Sequence, residues 1–176
     1  PTGREEAWRF APRAALKPLL DDAPSAGHLS WDAVLPEGLA LREISPAEAQ
    51  QRAASAPVDR ISALTAAHSG SAMLLEIPAG SDHPEPVVID LRGTDPDTVV
   101  WGWTLIEVGA HARATVVLRH SGTAQYAGNV SVVIGDGASL EMVSVQGWDD
   151  GAVHAGHLAS RLGRDARLRS IVVTLG

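Results

Sequence analysis

From Ala72 to Thr174 the chain alternates short apolar runs with Gly, Asp and Pro. Runs at 72–77, 86–91, 98–108, 113–119, 130–134, 139–145, 152–158 and 167–174 predict strands. The gaps are too short for crossover helices, which excludes βαβ units. Before Ala72 the pattern changes. Leu39 to Ile44 alternates apolar with polar and predicts a short strand. Ser45-Pro-Ala-Glu48 predicts a helix start: Ser45 caps the amide of Glu48, the Glu48 side chain returns the bond, and Pro46 sits where its missing N–H costs nothing. That helix should run to about Ala54 and stop before Pro57. A second, from about Asp59 to His68, places Ile61, Leu64 and Thr65 on one side and ends at Gly70. Residues 1 to about 25 read as an arm: Thr2 caps a short helix carrying Glu5 and Glu6 in its first turn, and Pro12 and Pro18 interrupt it. The chain thus divides into a helical and irregular segment, 1–71, and a strand-rich region, 72–176.

Within the strand-rich region glycine corners recur at Gly80, Gly109, Gly135 and Gly163, spaced 29, 26 and 28 residues apart. Similar strands follow the last three: Arg113-Ala-Thr-Val-Val-Leu, Ser139-Leu-Glu-Met-Val-Ser and Arg167-Leu-Arg-Ser-Ile-Val. A period of 26 to 29 with two strands per repeat predicts a solenoid whose coils stack at about 4.8 Å. Glycine suits corners that need positive φ, and Arg113, Glu141 and Arg169 should point outward. An antiparallel sandwich or jelly roll is the competing reading, since hairpins can give similar spacings. The strict six-residue apolar period of hexapeptide coils is absent. The last strand runs to Gly176 without a cap, so the expectation is the first coils of a truncated β-helix, with self-association possible through exposed coil ends.

Charge and composition narrow the function classes. The 176 residues are 45% hydrophobic, enough for a sizeable core, with a formal net charge of −7. An acidic chain gains nothing from counterion release, so neither nucleic acid nor an anionic membrane is the expected partner. With no cysteine there is no disulfide and no thiolate for a metal or cluster. No run spans a bilayer and no signal peptide is evident, which predicts a cytoplasmic location.

Candidate chemistry is sparse. His154 and His157 form the one close histidine pair, but i and i+3 on a strand face opposite ways, so a shared metal is not expected. His111 and His120 read as surface residues at coil edges, His83 as a solvated turn residue, and His68 as a helix-end cation. Asp149 and Asp150 read as a solvated turn. Trp101 and Trp103 share one strand face and read as packing. No Gly-x-Ser-x-Gly elbow and no Gly-x-x-x-x-Gly-Lys loop occurs. No catalytic, cofactor-binding or metal-ligating residue is therefore assigned.

Several stretches resemble the SufD branch of the SufB/SufD family. They are Gly3-Arg-Glu-Glu-Ala-Trp8-Arg9-Phe-Ala-Pro12, Asp59-Arg-Ile-Ser-Ala-Leu64, and Leu74-Leu-Glu-Ile-Pro78-Ala-Gly80 followed by Glu85-Pro-Val-Val-Ile. Gly135-Asp-Gly-Ala-Ser-Leu and Val145-Gln-Gly-Trp148-Asp-Asp follow, in the family's order. The resemblance implies a right-handed parallel β-helix behind a helical lead. It also implies a non-enzymatic scaffold of SUF iron–sulfur cluster assembly that pairs with SufB and the ATPase SufC. The family's cluster-handling positions and SufC-binding helices have no counterpart in this chain, so the expected cofactor complement is none here, with the cluster handled by the full complex. Two alternatives compete with this reading: a carbohydrate-active β-helix enzyme using Glu76, Glu107 and Glu141, and a cupin-like metal-binding β-barrel.

Overall fold

The computed structural model describes residues 14–175. The helix expected from Thr2 lies outside them. Strand pairing decides between the two β architectures. β3 (Ala72–Ile77), β4 (Val87–Val108), β5 (Arg113–Ile134), β6 (Ser139–Trp148), β7 (Val153–Leu162) and β8 (Arg167–Thr174) pair in parallel with the coil above or below. Hairpins would have made these pairs antiparallel, so neither a sandwich nor a cupin barrel forms. The molecule is a parallel β-helix of about four turns. In β5, Ala114, Val116 and Leu118, then Val132 and Ile134, point into the lumen and are buried. The residues between them face outward, the period-2 alternation of a strand. β4 and β5 run unbroken around one corner, whereas the third coil breaks there into β6 and β7. Each coil thus has a first face (start of β4, start of β5, β6, β8) and a second face (β3, end of β4, end of β5, β7).

The corners correct the glycine register. Ile77, Val108, Ile134 and Leu162 stack, so the coils measure 31, 26 and 28 residues. The residue stacked with Gly109, Gly135 and Gly163 is Pro78, not Gly80; the amides of the three glycines donate to Ile77, Val108 and Ile134 carbonyls, all at 2.8 Å. Gly80 belongs two residues on, with His111, Gly137 and Asp165, and all four have positive φ (71°, 61°, 66° and 57°). The stacked glycines are needed for a different reason: a Cβ at Gly109 would overlap the backbone of Ala79 one coil away.

Among residues 14–71, two strands extend the upper edge of the solenoid and two helices lie against its second face. β1 (Ser30–Val34), unforeseen in the sequence, pairs antiparallel with β4, and β2 (Leu41–Ile44) pairs antiparallel with β3. α1 (Pro46–Arg52) starts as expected, the Glu48 amide donating to the Ser45 hydroxyl at 3.2 Å. The Glu48 carboxylate does not complete the capping box; it turns to Arg42 and Arg52. α2 (Arg60–His68) carries the full box instead, between Asp59 and Ser62. It buries Ile61, Ser62, Leu64 and Thr65 and is followed by Gly70 at φ 67°.

α1 is tied to the second face by charge. Glu76 and Glu107 are register partners on adjacent coils. The Arg52 guanidinium bridges them at 3.1 and 2.8 Å, and Arg42 donates to Glu76 at 3.1 Å. Burial opposes ionisation of Glu76, but hydrogen bonds from Arg42 and Arg52 outweigh it and hold its carboxyl below the usual range. Arg52→Ala removes the guanidinium from Glu107 and leaves the stacked Glu76 with Arg42 alone. It should cost roughly 1 kcal/mol, and Glu107→Gln on that background should recover part of the loss. Urea titration of the two variants and their combination measures this coupling; additive losses would contradict the bridge.

Candidate functional site

The first-face strand of the second coil ends in His120, and the second-face strand carries Tyr126. One coil below, β6 ends in Trp148 and β7 carries His154 at its second position. Register puts Tyr126 directly above His154 and Gly122 above Trp148. All four side chains meet inside the lumen, every ring pair within 5.2 to 5.9 Å. Tyr126 stacks on His154 at 19°, and the two imidazoles lie 5.2 Å apart. Room for them comes from glycines stacked on successive coils, Gly102, Gly128 and Gly156. A Cβ at Gly102 or Gly128 would sit 2.5 or 2.7 Å from the Tyr126 hydroxyl.

The electrostatics follow from burial. His120 is only 6% exposed, and desolvation holds its pKa down at about 4 despite a hydrogen bond with the Val145 backbone. Desolvation and then the neighbouring His120 hold His154 at about 4 as well. Desolvation pushes the Tyr126 phenol well up. At neutral pH all three are uncharged. His120 Nδ1 and Trp148 Nε1 are buried without hydrogen-bond partners among the described residues. The lumen therefore offers an imidazole nitrogen and an indole N–H to a small polar guest such as a water molecule.

The other candidates fall elsewhere. His120 was expected on the surface; the inward parity of its strand places it in the core instead. His154 and His157 do face opposite ways, one into the lumen and one outward beside Asn129. His111 is exposed at its corner, and His83 is half-buried rather than solvated, its Nε2 without a partner among the described residues. His68 ends α2 and meets Asp22 at 2.6 Å. Asp149 and Asp150 are exposed in the turn between β6 and β7. Trp101 and Trp103 are buried beneath the helical layer. Glu76 and Glu107 share one register and are held by arginine, whereas Glu141 lies on the first face beside Arg169, so the three glutamates form no common site. Among the described residues no group of three or more His, Cys, Asp or Glu is placed to hold a metal ion. A cleft of about 400 Å³ opens between β1, β2 and the first coil, lined by Leu29, Trp31, Leu41, Met73, Val100 and Trp103. The cluster's sequence signal was Trp-Gly-Trp at 101–103, Ala-Gly-Asn at 127–129 and Ala-Gly-His at 155–157, spaced by one coil.

With a parallel β-helix and a buried aromatic core in place, the class of protein is a β-solenoid. Residues 91–176 match the SUF system FeS cluster assembly SufBD core domain. An iron–sulfur cluster assembly SufBD family protein of Mycobacterium tuberculosis is 31% identical over 177 residues, the whole of this chain and 45% of that relative. One of Mycobacterium leprae is 32% identical over the same span. These matches make the chain similar to proteins of the SufB/SufD family. The chain spans about half the length of the curated relatives it matches. No solved structure matches it significantly. Among the described residues no helix is long and apolar enough to cross a membrane.

Proposed function

We propose that this chain is part of a SufD-type scaffold, a non-catalytic cytoplasmic subunit that pairs with SufB-like and SufC-like proteins while an iron–sulfur cluster is built. The observation that carries this reading is the SufBD core match, which coincides with the stacked coils from Leu91 onward. A frame of this kind supports assembly by rigidity: parallel ladders hold outward side chains at fixed spacing. The cluster is cargo, and since this chain has no cysteine, thiolates that touch it must come from another part of the complex. Expression of the complete scaffold containing this segment with SufB-like and SufC-like proteins from the same genome should give a stable three-component complex. A full-length scaffold that stays apart from both would overturn the proposal.

A further inference from the structure

Outward-facing apolar side chains occur on both faces of the β-helix, and among the described residues only one face is covered. On the second face Trp101 and Ala127 lie beneath Leu16, Leu19, Ile61 and Leu64. α2 packs on β4, β5 and β7, and neither helix packs on β6 or β8. On the first face, Val34, Val88, Val117, Val143 and Ile171 are successive register partners on β1, β4, β5, β6 and β8. They form one unbroken stripe across five strands, about 19 Å long at the ordinary strand separation. None is buried among the described residues; Val34 is 64% exposed. Val145 and Val173 extend the stripe two positions along their strands.

The charges beside the stripe are asymmetric. On one flank Arg119 and Asp90 neutralise each other in a bidentate pair, two contacts of 2.6 Å, with Asp32 beyond. On the other flank stand Arg113, Arg167 and Arg169. Glu141 meets Arg169 at 3.5 Å, while Arg113 and Arg167 make no ion pair among the described residues. Asp82 is the bridge partner of Arg113 on the coil above, so that flank sets three arginines against Asp82 and Glu141 and keeps an excess of one positive charge in a chain whose net charge is −7.

We propose that the bare first face docks an amphipathic α-helix of a partner protein, its apolar side along the valine stripe and an acidic row toward Arg113, Arg167 and Arg169. The molecule itself supplies the precedent, because its own helical layer covers the equivalent apolar column on the opposite face. A helix of about 13 residues matches the stripe in length, and the arginine flank selects carboxylates over cations. This surface goes beyond the family reading and stands whether or not that reading holds.

The test uses two fluorescein-labelled 18-residue helical peptides with leucines at i, i+3, i+4 and i+7 and a single charged row, glutamate in one and lysine in the other. Anisotropy should show the glutamate peptide binding at least tenfold more tightly. Val143→Lys should weaken it at least tenfold and the milder Val143→Thr less, with melting temperatures checked so that misfolding is not mistaken for lost docking. Arg167→Glu with Arg169→Glu should reverse the preference toward the lysine peptide. Equal binding of both peptides, binding of neither, or indifference to Val143→Lys would overturn the proposal. The absence of native cysteine makes Val143→Cys a unique nitroxide site. A label that is dipole-broadened between copies without peptide, or already shielded in the complete protein, would show another occupant and overturn it too.

Discussion

Gly122→Ala should destabilise the β-helix by about 3 kcal/mol or more, enough to leave much of the protein unfolded at 37 °C if its stability is ordinary. Two costs combine. Gly122 sits at φ 72°, where an L side chain is strained by roughly 1 kcal/mol or more. Its Cβ would also overlap the carbonyl oxygen of Gly93, its register partner on the coil above. That oxygen belongs to backbone held in parallel ladders, so it cannot retreat as a side-chain tip would. His111→Gly is the matched control. His111 also has positive φ, at 61°, but a glycine there relieves strain and should leave the melting temperature unchanged or raised. Thermal unfolding followed by circular dichroism separates the two; a Gly122→Ala protein as stable as the parent would show that the bend at Gly122 has room the stacking denies.

Stability should fall as pH drops from about 6.5 to 4, and His120 and His154 should account for most of that loss. In the fold both pKa values lie at about 4, against 6.5 when solvated. Between these limits the unfolded chain binds protons that the folded lumen refuses. Unfolding is therefore favoured progressively as protons become available, and the contribution is complete by pH 4. Each histidine carries on the order of 3 kcal/mol across the window, less where the two rings couple. Glu76 acts separately, at lower pH, because its carboxyl is held below the usual range. Chemical denaturation at half-unit pH steps measures the slope. His154→Gln should halve it and the double variant with His120→Gln should nearly abolish it. An unchanged slope in both would place the titration elsewhere.

Much of the architecture was legible because backbone chemistry repeats. The eight apolar runs fell on six strands, β3 and β8 to the residue, and Asp59 and Ser45 marked helix starts through their capping side chains. β1 was missed because Ser-Trp-Asp-Ala-Val pairs with a distant strand and owes its conformation to that pairing. The glycine register slipped because two kinds of glycine stand at the corners, those that accept positive φ and those that admit a neighbouring coil, and spacing alone cannot separate them. His120 was misplaced for a similar reason. It lies at the end of an apolar run, where the visible pattern fades, but strand parity still fixes it inward with Leu118 and Val116. The lumen cluster needed the coil length, since it joins residues on both sides of one corner from two successive coils.

Unequal coil lengths carry one more consequence. Between paired positions the second coil turns from its first to its second face through Thr123 and Ala124. At the same corner the first coil spends Asp95 to Thr98 and the third Asp149 to Ala152. Rungs above and below stay in register regardless, so this edge is where the polypeptide tolerates growth. Doubling such a bulge adds only about 0.6 kcal/mol of closure entropy. An epitope or reporter spliced between Asp149 and Gly151 should leave the stack intact, making that edge a ready graft point for following the molecule inside a larger assembly.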